Sequence, residues 1–116
     1  MALSVNESTA VTSSASLSLG VLAPAYNSAK AAEHRAFVAW QTGVTTVASD
    51  YTAWQTALTN YINNATTGNK ASVTSAFNTW QSAITSAATL EAAWQAATDQ
   101  IWLILSAADL VNEDNE

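Results

Sequence analysis

"AFVAWQTGVTTVASDYTAWQTAL" (residues 36–58) and "AFNTWQSAITSAATLEAAWQAAT" (residues 76–98) decide the fold. An offset of 40 residues lays Trp40 on Trp80 and Trp54 on Trp94, and each of the four is followed by Gln. Identical residues meet at ten of the 22 positions from 36 to 57, and Val44/Ile84, Thr42/Ser82 and Ser49/Thr89 are conservative besides. An Ala, Thr and Ser bias raises chance agreement, but it does not align four Trp-Gln pairs. The chain carries an internal duplication, and repeats of this length are read as copies of one supersecondary unit.

Spacing within each copy gives the secondary structure. Phe37, Trp40, Val44, Val47, Tyr51, Trp54, Leu58 and Tyr61 alternate steps of three and four, the a/d seam of a heptad pattern. The second copy continues it with Val73, Phe77, Trp80, Ile84 and Ala87, breaks at Glu91, and resumes at Trp94, Thr98, Ile101 and Leu105. The pattern predicts two helices, about 28–65 and 71–110, each about 55–60 Å long at 1.5 Å per residue. Between them "ATTGNKAS" holds Gly68-Asn69, with Gly68 suited to a C-cap and Asn69 or Ser72 to the next N-cap. So short a connection requires antiparallel neighbours. The expected fold is all-α: an antiparallel hairpin of two long helices, resembling a short coiled coil, with an extended N-terminal arm.

Folding about residue 67 sets position i opposite roughly 134 minus i. Trp54 then faces Trp80 and Trp40 faces Trp94, in layers where aromatic contacts add about 0.5–1.5 kcal/mol beyond area burial. Each following Gln falls at the seam's edge, within reach of the partner helix or an indole N–H. Glu91 falls on the seam where the first copy has Tyr51 and is expected at the seam margin or bonded to a Thr or Tyr hydroxyl, with Gly43 nearby leaving room for it or for water. The expected packing set is therefore Phe37, Trp40, Val44, Val47, Tyr51, Trp54, Leu58, Phe77, Trp80, Ile84, Trp94 and Ile101.

The rest of the chain reads less strongly. Residues 1–27 are Ser-, Thr- and Ala-rich with Gly20 and Pro24, and Leu17, Leu19 and Val21 alternate with small residues, as in an extended arm. "SLSLGVLAPA" lacks a basic segment before it and has Glu7 upstream, so cleavage as a signal peptide is not expected. "IWLILSAADLV" (residues 101–111) is apolar nearly all round, the mark of a helix surrounded by protein. One partner helix cannot cover it. Leu17, Leu19, Val21, Leu22, Leu90, Trp102, Leu103 and Ile104 are the candidate assembly contacts, and residues 113–116 are expected to be a solvated acidic tail.

Composition narrows the function. Charged residues are 10% of the 116, against roughly 25% in an ordinary soluble domain. Net charge is −6, with only Lys30, Arg35 and Lys70 positive, so no basic footprint exists for nucleic acid or an anionic membrane. No run nears the ~18 apolar residues of a spanning helix. There is no cysteine, and "EHR" at Glu33-His34-Arg35 holds the single His with no nucleophile or second ligand beside it. No catalytic, cofactor-binding or metal-ligating residue is expected, and no cofactor.

A short, cysteine-free, Ala/Thr/Ser-rich chain with an arm at one end and few charges between Ala36 and Leu90 resembles, as a class, the small virion proteins of tailed bacteriophages. The resemblance implies a non-enzymatic structural subunit, such as a capsid decoration or cement protein, gripping the major coat protein, another virion subunit or copies of itself. Its location would be the virion. The alternative is a soluble, dimeric helical-hairpin binding module, an adaptor or secreted hairpin, in the cytoplasm or outside the cell. The small secreted Trp-x-Gly hairpins are of similar size, but the turn here lacks their motif.

Overall fold

The computed structural model describes residues 19–114. Two α-helices make up almost all of it: α1, Leu19–Asn63, and α2, Thr67–Asp114. They form the antiparallel hairpin that the repeat spacing predicts. The described residues fall into two compact units, a hairpin unit, Arg35–Trp94, which contains the turn, and a terminal unit, 19–34 with 95–114.

Both helices are longer than the pattern predicts. Residues 19–27, assigned to the extended arm, are the first turns of α1, with Pro24 inside the helix. Proline there removes the donor that would bond the Gly20 carbonyl and crowds that turn, a local cost to the helix. The gain is apolar burial: Leu22 is buried, and Leu19, Ala23 and Tyr26 line a cleft with Ile104, Leu105 and Ala108. The arm's remaining residues, Leu17 among them, lie outside the described residues. At the other end α2 continues through residues 113 and 114, which are helix and not tail, while 115 and 116 lie outside the description.

A chain rich in Thr has to explain its helicity, because β-branched side chains and competing hydroxyls both disfavour it. Here the hydroxyls are turned back onto the helix. Thr42, Thr45, Thr46, Thr52 and Thr59 each donate to the carbonyl four residues earlier at 3.0–3.2 Å, and Thr85 and Thr89 do the same at 3.3 Å. Three of these acceptors are carbonyls of the Trp-Gln dyads: Gln41, Gln55 and Gln81.

The turn also differs from expectation. It is three residues, 64–66, and Gly68 is inside α2 with no positive φ. Thr66 is the N-cap, its Oγ1 accepting from the Asn69 N–H at 3.0 Å. The Asn69 amide then donates to the Asn64 carbonyl at 2.8 Å and reaches the Asn60 carbonyl at 3.4 Å, so the start of α2 closes the end of α1. A left-handed glycine cap is unnecessary once those carbonyls are satisfied. Thr66→Ala is expected to cost about 1 kcal/mol of unfolding free energy, read by urea titration. A loss below a quarter of that would mean the cap is dispensable.

Candidate assembly surface

In the hairpin unit the two Trp pairs stack. Trp40 and Trp94 have ring centroids 5.1 Å apart with planes 4° from parallel, and Trp54 and Trp80 are 5.2 Å apart at 12°. Phe37 lies 5.9 Å from Trp40 and 5.3 Å from Trp94, and its repeat mate Phe77 lies 6.0 Å from Trp80 and 5.7 Å from Trp54. Adding 40 to each α1 residue and subtracting 40 from each α2 residue converts the first cluster into the second. The duplication has therefore become a local pseudo-two-fold axis between the helices. Among the aromatic residues it is broken where Tyr51 tilts onto Trp54 and Trp80 while its mate is Glu91.

The same relation governs the other side of this unit. A shallow groove there is lined by Ala39, Thr42, Gly43, Thr46 and Asp50 from α1 and by Thr79, Ser82, Ala83, Ser86 and Leu90 from α2, five residues and their five repeat mates. One side of the hairpin is thus aromatic and apolar, and the other is mostly small and hydroxylated.

Small residues take the middle. Ala57, Ala83 and Ala87 are the buried side chains of this unit. A Cβ at Gly43 would lie 2.8 Å from Leu90 Cδ1 and 3.5 Å from the Ala87 Cα, so the backbones approach closely at this point. Close approach pushes the bulky heptad residues sideways. Trp40, Val47, Trp54, Leu58, Trp80 and Trp94 are half-buried, but Val44 (47% exposed), Tyr51 (42%), Phe77 (39%) and Ile84 (38%), all assigned to the seam, lie open along its aromatic edge. Ile101 is half-buried in the terminal unit. It is Leu90, and not Glu91, that fills the space beside Gly43. An apolar side chain takes that notch, and Glu91 is left half-exposed at the edge.

Of the candidate assembly contacts, Leu22 is internal and Leu90 is half-buried, with one side on the open groove. Leu90 packs in the hairpin unit as described, and Leu22 is buried in the terminal unit together with Val111. Both lie on the inward side of their helix. Ile104 is half-buried at the cleft of the terminal unit. Leu19, Val21, Trp102 (64%) and Leu103 (61%) are exposed. The Trp-Gln glutamines are all exposed, and the buried Trp80 Nε1 has no acceptor within reach.

Among the described residues no group of His, Asp and Glu could hold a metal ion, and no helix is long and apolar enough to cross a membrane. The fold and surface define a class, an all-α helical hairpin with a thin small-residue core and open apolar faces. No protein-family model matches the chain, and no curated protein or solved structure is similar to it.

Proposed function

We propose that the protein is a non-enzymatic structural subunit of a large assembly, of the kind found in tailed-bacteriophage virions as a capsid decoration or cement protein. The observation that carries this reading is the incompleteness of the core. No large side chain among the described residues is fully buried, and each unit leaves large apolar side chains in the open, Val44 and Ile84 on one, Trp102 and Leu103 on the other. Exposed apolar patches rimmed by polar residues mark contact sites. Two such patches on one chain support an extended assembly, in which each copy touches more than one neighbour, copies of itself or a coat protein.

Light scattering on the purified full chain tests the reading. The expected mass exceeds that of a dimer of the 12.1 kDa chain. A closed dimer that grows no further with concentration would favour the alternative, a soluble hairpin binding module. A monomer at every concentration would overturn the dimeric alternative and the self-assembling form of the reading, leaving attachment to a coat protein. The virion assignment itself is tested by peptide mass spectrometry of purified particles from the host, where a structural component is present in many copies per particle and a host-side adaptor is absent.

A further inference from the structure

We propose that the aromatic edge of the hairpin unit is a self-association face, on which a second copy of this chain docks through the same face to make a four-helix layer. The inference rests on the assembly reading above and names its contact. Val44 and Ile84 are repeat mates near the pseudo-two-fold axis, and both stand exposed between the two Trp stacks. Tyr51 and Phe77 extend the strip outward.

Three observations select a second copy as the occupant. The first is symmetry. An isologous contact needs a patch that fits itself, and the centre of this strip, Val44 and Ile84 between the two Trp stacks, repeats about a local two-fold and so offers a copy the same central ridges in either direction.

The second is charge. The chain as a whole carries −6, which opposes self-association, yet between residues 36 and 90 the formal charges are Asp50 and Lys70 alone. Asp50 lines the groove on the opposite side and Lys70 sits at the turn. Glu91, half-exposed at the place of Tyr51, is the acid at the rim of the aromatic strip. Like charges facing one another are what reject wrong pairings, and the centre of this strip has none to oppose. The same lack of charge gives a cationic or anionic partner nothing to recognise.

The third is area. From Phe37 to Trp54 the strip is about 26 Å long at 1.5 Å per residue, and two helices set 8–10 Å apart make it about 20 Å wide. The projected patch is on the order of 500 Å², and side-chain relief raises the accessible area toward the ~800 Å² per partner of a standard interface.

The test compares the full chain with Val44→Glu/Ile84→Glu and with Thr42→Glu/Ser82→Glu, which adds the same charge at repeat-related positions in the opposite groove. Sedimentation equilibrium is expected to show at least a twofold fall in mass for the Val44/Ile84 variant, at wild-type helicity by circular dichroism, and wild-type mass for the groove variant. A Val44/Ile84 variant that keeps the wild-type mass overturns the proposal and leaves the assembly reading standing. A wild type that forms only a dimer, with a monomeric Val44/Ile84 variant, supports this face and overturns the larger assembly. A monomeric wild type overturns this self-association face. Should the double variant lose helicity, a spin label on Val44→Cys decides the matter, since the chain has no other thiol. Labels on separate copies are expected within about 20 Å of one another, given helix layers 8–10 Å apart, and absence of inter-copy coupling overturns the proposal.

Discussion

Trp80→Ala is expected to lower the unfolding free energy by about 3 kcal/mol, the low end of the range for losing a Trp because the side chain is only half-buried. Trp80 touches three rings: Trp54 in the stack, Tyr51 at 5.2 Å and 60°, and Phe77 edge-on at 70°. With so thin a core, few other contacts remain to take up the loss. Urea unfolding followed by circular dichroism at fixed protein concentration measures it, since self-association shifts apparent stability by mass action. Trp80→Phe separates the ring from its nitrogen. It keeps an aromatic face against Trp54 and removes a buried N–H with no acceptor, a group whose burial costs about 1–3 kcal/mol. The expected net loss is therefore below about 1 kcal/mol. A Trp80→Ala loss that small would mean the stacks do not hold the hairpin together.

The repeat supplies an internal control. Trp40 stands where Trp80 does under the pseudo-two-fold, but Tyr51's counterpart beside it is Glu91. Trp40→Ala thus removes one fewer aromatic contact and is expected to cost less than Trp80→Ala by roughly the 0.5–1.5 kcal/mol of one such pair.

The hairpin, its antiparallel sense and the layering of the Trp pairs are legible in the sequence, because a heptad step and a 40-residue offset are both period signals that bulky residues carry. The depth at which those residues sit is not. Val44, Tyr51, Phe77 and Ile84 share the periodicity of Val47 and Trp54 but lie one side-chain width further round. What displaces them is a line of Gly43, Ala83 and Ala87, and small residues leave no mark in an Ala-rich background. The start of α1 was hidden by Pro24 and by a run of serines that reads as loop. Only the pairing of Leu22 with a cleft partner far along the chain overrides that local signal, and a single sequence does not display such a pairing. The mismatches within the repeat mark the same notch. Gly43 is the repeat mate of Ala83 and Leu90 that of Asp50, so in the Gly43–Leu90 contact a smaller residue meets a bulkier apolar one than in the mate pair.

That close approach makes Gly43 sensitive to added bulk. Gly43→Ala puts a methyl 2.8 Å from Leu90 Cδ1, the movable end of a side chain, and it also gains about 1 kcal/mol of helix propensity. The two effects offset, and the expected change is within about 1 kcal/mol. Gly43→Val is different. Its branches reach past Leu90 toward the Ala87 backbone, whose Cα already lies 3.5 Å from the Cβ position, and backbone cannot swing aside. Parting the helices there loosens the aromatic layers on either side, so the expected cost is about 3 kcal/mol, the upper end for an overpacked site. Leu90→Ala alone leaves a cavity at the same notch and is expected to cost about 2 kcal/mol. Combined with Gly43→Val it gives the valine somewhere to go. The double variant is therefore expected to be more stable than the sum of the single losses by about 1–2 kcal/mol, a coupling of the size found between residues in contact. Strict additivity in that cycle would show that Leu90 does not occupy the Gly43 notch, and with it the compensated divergence of the two repeat copies would lose its physical basis.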